Sequence, residues 1–199
     1  MIDFDKDLNQ PSKKFQELYI KALDKKQPNC NAACVATCNK ETLRVTSRFV
    51  NIKYISKNKY IFFSNYNSRK ALDISSNKNV SCVFFWPSIN TQIRIEGNIN
   101  KSPESFSDTH FNKRSHEKNS LAISSYQSSE VDSYNTVIKN YKHIYNSYDQ
   151  ETKRPQYWGG YEIIPNYFEF WEGNINRLNK REVHKISDSG DWEISYLQP

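Results

Sequence analysis

Hydrophobic periodicity changes from helical to alternating near residue 32, and that change limits the possible architecture more than any other feature of the chain. Before it, Phe15, Leu18, Tyr19, Ala22 and Leu23 recur at helical spacing. With Ser12 as cap and Pro28 as stop, they predict a helix over about 12–26. From Ala32 onward the period is two. Strand-like runs cover 32–38, 43–55, 60–66, 80–86 and 91–99. In the last of these, Ile93, Ile95 and Ile99 alternate with Gln92, Arg94, Glu96 and Asn98. A short helix over 68–75 interrupts the strands. Ser102-Pro103 opens a helix expected to reach about Arg114. After a Ser-rich loop, Val131, Tyr134, Ile138, Tyr141, Tyr145 and Tyr148 mark a further long helix, the tyrosines reading as a packing stripe. Strands return over 161–164 and 167–172, and a hairpin of 183–186 with 192–197 turns at Ser189-Gly190-Asp191. With no repeat and no linker-like segment, this order predicts one domain over residues 1–199, mainly β with helices, built as an antiparallel barrel.

Only five glycines occur, at 97, 159, 160, 173 and 190. Neither G-x-G-x-x-G nor a P-loop can be written from them, which excludes Rossmann and Walker-type nucleotide sites. The balance of 28 Lys+Arg against 22 Asp+Glu, net +6, favours an anionic partner. The basic residues are interleaved with acids and form no recognition motif, so nucleic acid is not expected. No apolar run approaches the roughly 18 residues needed to span a bilayer. Residues 1–14 lack the apolar stretch of a secretory signal, so a cytoplasmic protein without a membrane partner is expected. Cys30, Cys34 and Cys38 have no nearby His or carboxylate partners, and no metal site is expected. Cys34 and Cys38 read as small buried residues on one strand face, and His116, His143 and His184 as surface or loop residues.

Three clusters carry candidate chemistry. In Asn67-Ser68-Arg69-Lys70 a strand ends, a serine caps a helix and two cations occupy its first turn. Cations there oppose the helix dipole and make sense over a bound dianion; a solvated basic turn is the other reading. Arg48 and Lys53 lie in one strand-like run, on opposite faces by strict alternation, so only a bulge or a long reach would join them. Gln92 has an amide able to read a heterocycle edge. Near the C-terminus, glycines gather among aromatics and arginines over 154–161, 169–173 and 177–181. That composition suits a flat aromatic ligand or, equally, aromatic core packing.

Ser68-Arg69-Lys70-Ala71, Trp158-Gly159-Gly160-Tyr161, Glu169-Phe170-Trp171 and Arg177-Leu178-x-x-Arg181 stand in this order over more than a hundred residues. Together they resemble the pyridoxine/pyridoxamine 5'-phosphate oxidase family, over about residues 12–199. The resemblance implies an FMN-binding split β-barrel, a homodimer with FMN at the interface, and a C-terminal dimerisation and substrate segment over about 154–199. It also implies that Arg48, Lys53, Phe63, Ser64, Arg69, Lys70, Gln92, Gln127, Ser128, Trp171 and Arg181 hold FMN. Lys53, His110, Arg114, Lys118, Arg177 and Asn179 would take a phosphorylated substrate, with Arg177 over the reacting ring. Here the chain departs from the family pattern: His110 replaces a Tyr, Lys118 a Ser, and Asn179 the His of Arg-x-His, while the terminal Arg-Leu-x-Pro becomes Tyr196-Leu197-Gln198-Pro199. If the helix persists, His110, Arg114 and Lys118 would form one cationic face. The implied reaction is oxidation of pyridoxamine or pyridoxine 5'-phosphate to pyridoxal 5'-phosphate with molecular oxygen as acceptor. Alternatives are an FMN-dependent oxidoreductase acting on another flat, phenazine-like ring, and a non-catalytic flavin-binding module.

Overall fold

Ten strands form a single curled sheet in the computed structural model, which describes residues 1–149 and 152–199. Strands β1 (Asp3–Phe4), β2 (Ala32–Cys38), β3 (Val45–Asn51), β4 (Tyr54–Ser56) and β5 (Lys59–Asn65) precede β6 (Asn79–Trp86) and β7 (Thr91–Lys101). Then come β8 (Trp158–Glu172), β9 (Lys180–Ile186) and β10 (Trp192–Tyr196). The order across the sheet is β1-β4-β5-β8-β7-β6-β2-β3, with β9 and β10 added beside β8. The architecture is a mainly β half-barrel of the split-barrel type, as the strand periodicity implies.

One long strand organises the sheet. The sequence predicts two strands over 161–164 and 167–172, but β8 runs unbroken and pairs with β7 from Tyr161 to Glu172. On its other side it pairs first with β5, through Ile163, and then with β9, from Tyr167. Pro165 falls in the gap between these partners, where a missing N–H costs no ladder bond. The register with β7 shifts between Glu96 and Gly97 at this point. A Cβ on Gly97 would lie 2.1 Å from the Ile164 carbonyl oxygen, so the bulge requires glycine.

The core fills the concave side. Helix α1 (Gln10–Asp24) inserts Phe15 between Tyr60, Phe84 and Trp86, at centroid distances of 5.2, 4.9 and 5.4 Å. Its cap is Asn9, not Ser12: the Asn9 side chain accepts from the Ser12 N–H, and Ser12 is buried one turn inside. Helix α2 (Arg69–Ser76) packs Ala71 and Ile74 inward, and α3 (Glu104–Asn112) follows β7. The expected helix to Arg114 stops at Asn112, and a further helix, α4 (His116–Ser124), begins where a Ser-rich loop is predicted. Its inner face is Asn119, Ser120 and Ala122, too polar to leave an apolar stripe in the sequence.

Three other expectations change. Helix α5 (Tyr134–Ser147) buries no residue, so its tyrosines are not a core stripe; Tyr145 and Tyr148 instead bracket His116. In β2 the inward residues are Ala33, Val35 and Thr37, leaving Cys34 and Cys38 half-exposed on the other face. His184 is no surface residue. It sits buried in β9, edge-on to Phe170, with Nε2 2.7 Å from Glu182 Oε1.

Candidate active site

The end of β5, the first turn of α2 and the α3–α4 corner enclose a cleft of about 750 Å³, a size suited to a small-molecule ligand. Its lining includes Arg48, Lys53, Arg69, Lys70, Lys113, Arg114 and Lys118, seven cations, with no carboxylate among the described lining residues.

Arg69 and Lys70 arrive by a local cause. The Ser68 backbone is extended where β5 gives way to α2, so Arg69 and Lys70 stand on the first turn. Ser68 Oγ donates to the Asn65 carbonyl rather than capping the helix. The buried Lys70 ammonium donates to Ser64 Oγ at 2.8 Å and to Ser68 Oγ at 2.9 Å. Burial, with Arg48 nearby, lowers its pKa to about 8. Gln127 accepts from Ser64 Oγ and from the Asn65 N–H, and Ser128 follows with φ of 75°, a left-handed backbone that costs a non-glycine residue about 1 kcal/mol.

Arg48 and Lys53 share the cleft despite their opposite parity, because the long predicted run breaks. β3 ends at Asn51, Ile52 is buried, and the Lys53 N–H donates to the Ile61 carbonyl, handing the chain from β2 to β5. Burial, followed by the charges of Lys118 and Arg114, lowers the Lys53 pKa. The predicted continuous face of His110, Arg114 and Lys118 also fails as stated, since the helix breaks between Asn112 and His116. All three nevertheless line the cleft, because α4 turns back across the corner.

One wall is aromatic. The His110 ring lies on Phe63 at 3.7 Å and 12°, and Phe63 stacks on Trp158 at 5.4 Å. Arg114 lies 4.4 Å over the Trp158 ring, its Nη1 buried without a hydrogen-bond partner. The Tyr54 hydroxyl and His110 Nδ1 are hydrogen-bonded at 2.9 Å. Burial, then Arg114 and the neighbouring lysines, lowers the His110 pKa to about 4. Sequence reasoning singled out neither Tyr54 nor Lys113; both directly neighbour residues that it named.

The remaining sequence-predicted residues lie outside the cleft. Gln92, Trp171 and Arg181 form one row across β7, β8 and β9, as their pairing shows. Arg181 donates from Nε to Glu169 Oε1 at 2.7 Å and from Nη1 to the Gln198 carbonyl. Glu169 also accepts from Arg94 at 2.7 Å and is almost fully buried. Arg177 is exposed in the β8–β9 turn with φ of 59°, and Asn179 Oδ1 accepts from the Asn174 N–H.

A family profile described as pyridoxamine 5'-phosphate oxidase matches residues 20–147, and one described as the pyridoxine 5'-phosphate oxidase C-terminal dimerisation region matches 158–199. The chain belongs to the pyridoxamine 5'-phosphate oxidase family. A pyridoxine/pyridoxamine 5'-phosphate oxidase of Paraburkholderia phytofirmans is 34% identical over 190 residues, covering 95% of this chain and 89% of that protein. One from Leptospira interrogans is 33% identical over 186 residues, covering 93% and 86%. Among solved structures, PhzG of Burkholderia lata in complex with tetrahydrophenazine-1-carboxylic acid superposes with a TM-score of 0.89 at 24% identity, covering 98% of this chain and 95% of PhzG. Its likeness shows the shared fold. Membership of this oxidase family makes the chain an oxidoreductase. No helix among the described residues is long and apolar enough to cross a membrane.

Proposed function

We propose that this chain is an FMN-dependent oxidase that converts pyridoxamine or pyridoxine 5'-phosphate to pyridoxal 5'-phosphate, with molecular oxygen as acceptor, and that it works as a homodimer. One observation carries the reading: seven cations and no carboxylate surround a cleft with a stacked aromatic wall. That donor set suits flat rings that carry phosphates. The buried, unpartnered Nη1 of Arg114 and the depressed pKa values of Lys53 and Lys70 mark a site built for anions.

In this reading Arg48, Ser64, Arg69 and Lys70 hold the FMN phosphate at the N-terminus of α2, with Phe63, Gln127 and Ser128 beside the nucleotide. FMN, when bound, supplies the acceptor for the hydride equivalents leaving the substrate's 4' carbon. Lys53, Arg114 and Lys118 grip the substrate phosphate, and His110, held neutral on Phe63, borders the substrate ring. The aromatic wall excludes water, while orientation by the cations brings the substrate into a reactive pose.

The homodimer supplies what one protomer lacks. Gln92, Trp171, Arg177, Asn179 and Arg181 do not line this cleft. A second copy would bring them to it, with Arg177 over the substrate. The match of 158–199 to a dimerisation region supports this, as does edge strand β3, whose exposed Phe49 borders the cleft. The test is to add pyridoxine 5'-phosphate anaerobically to flavin-loaded protein. Bleaching of the flavin band is expected, and an unbleached band refutes the proposal.

A second reading, oxidation of a phenazine-like ring, draws on the likeness to PhzG and on two features of this chain. His110 presents a neutral ring against Phe63, and Asn179 turns its carbonyl to the Asn174 N–H. Turnover of pyridoxine 5'-phosphate at ordinary enzymatic rates removes the need for it.

A further inference from the structure

Beneath Arg48 lies a buried acid that the reading above leaves without a role. Asp73, in the second turn of α2, is 1% exposed. Its Oδ2 accepts from Thr37 Oγ1 at 2.8 Å and from Thr46 Oγ1 at 3.0 Å. A threonine hydroxyl has one proton, and here both protons go to the same carboxylate oxygen. The two hydroxyl oxygens are therefore left to accept. Arg48 donates to both, from Nη1 to Thr37 Oγ1 at 2.7 Å and from Nη2 to Thr46 Oγ1. The two hydroxyls also approach each other at 3.4 Å, farther than either lies from Asp73, so the shorter bonds set the proton order from the guanidinium through two hydroxyls to the carboxylate.

A buried carboxylate is costly unless its charge is answered, and the charge of Asp73 bears directly on Arg48. The arrangement also ties three elements together: Thr37 on β2, Thr46 and Arg48 on β3, and Asp73 on α2. α2 is the helix whose first turn carries Arg69 and Lys70. One carboxylate therefore sets the direction of Arg48 and registers β3 against the helix terminus.

We infer that Asp73 is a positioning residue for the anion in the cleft, acting through Thr37 and Thr46 to aim Arg48 at the phosphate that α2 and Lys70 also face. The inference rests on the FMN reading above. Substitution by asparagine keeps the shape and removes the charge, so D73N tests it in the full-length protein. Binding of FMN and of riboflavin, which lacks the phosphate, is followed by quenching of flavin fluorescence. D73N is expected to weaken FMN binding about tenfold, the effect of losing a hydrogen-bond network to a charged group, and to leave riboflavin within about twofold. In an R48K background the same substitution is expected to cost less than about twofold, because coupled residues do not add. Unchanged FMN affinity, an equal loss for riboflavin, or a full loss in the R48K background would each overturn the inference.

Two further measurements keep the outcome decisive. T46V removes one of the two hydroxyl links at a half-buried site and is expected to weaken FMN binding about threefold; wild-type affinity in T46V counts against the relay even if D73N does not fold. The guanidinium of Arg48 is followed by nitrogen-15 NMR of the flavin-free protein, with slow rotation expected in the wild type and fast rotation in D73N. Should the wild type bind no FMN, the FMN reading falls, while this NMR comparison still decides the role of Asp73: rotation that is fast in both, or unchanged by D73N, refutes it.

Discussion

His110 should make the protein lose stability on mild acidification, and the structure sets the size of the effect. An unfolded histidine takes up its proton near the ordinary value of 6.5, whereas in the folded chain burial and the surrounding cations hold His110 at about 4. Between those values the unfolded state binds the proton and the folded state does not. Stability is therefore full above pH 6.5, falls as the pH drops toward 4, and changes no further below that through this group. The gap corresponds to about 3 kcal/mol at full effect, which solvent at this half-buried ring reduces to about 1–2 kcal/mol. Other groups titrate in the same range, so the measured quantity is the difference between the wild type and H110F. The variant keeps the stack on Phe63 but gives up the bond to Tyr54, a pH-independent cost of about 1 kcal/mol. Urea unfolding of the flavin-free proteins at pH 7.5 and 4.5 should show the wild type losing about 1–2 kcal/mol more than H110F. Equal losses, or a His110 ring that titrates near 6.5 by NMR, refute the reasoning.

Lys70 gives an alkaline counterpart. Its ammonium is lost through about pH 8, so FMN affinity measured by fluorescence should decline from pH 8 to 10, and the decline should vanish in K70M. G97A forces a Cβ to within 2.1 Å of the Ile164 carbonyl oxygen, and thermal unfolding should register a loss of about 2–3 kcal/mol from the displaced bulge. F15A empties the contact with Tyr60, Phe84 and Trp86, and chemical denaturation should show a loss of about 3–5 kcal/mol. E169Q removes the charge shared by Arg94 and Arg181, and a loss of about 1–3 kcal/mol in stability is expected in urea.

Features set by neighbours in sequence were legible, and features set by distant contacts were not. Ser68-Arg69-Lys70 could be read as a basic helix start because a strand end, an extended serine and a first turn are local events. Arg48 and Lys53 read as opposite faces of one run, joined only by a bulge or a long reach, because the break after Asn51 that brings them together depends on the chain changing partners from β2 to β5, which no periodicity encodes. The faces of β2 were reversed for a related reason. The strand lies between β3 and β6, and the sheet turns Ala33, Val35 and Thr37 inward although cysteines look equally suited to burial. α4 leaves no apolar stripe because its inner positions are Asn119 and Ser120, with Asn119 donating to the Phe111 carbonyl that the Arg114 N–H also reaches at the end of α3. The family motifs carried the rest, since four short patterns in register specify the sheet order that composition alone leaves open.

The two sets of site residues differ in how they are held, and the difference bears on assembly. The cleft cations lie among one another without a carboxylate in the lining; buried Asp73 answers Arg48 through the threonines, and the repulsion among Lys53, Arg114 and Lys118 is left for an anion to relieve. In the row of Gln92, Trp171 and Arg181, the charge of Arg181 is already answered within the chain: Glu169 binds Arg94 and Arg181 together from a buried position. Its carboxyl stays below the usual range because those bonds and charges outweigh burial. Arg181 is thus held before any ligand arrives, while the cleft gains stability on binding, by about 2.7 kcal/mol at a hundredfold excess over Kd. A preset surface closing on a ligand-hungry cleft of another copy needs little reorganisation at the moment of binding. In the proposed homodimer, the ordering cost therefore falls on the cations, where the phosphates answer it directly.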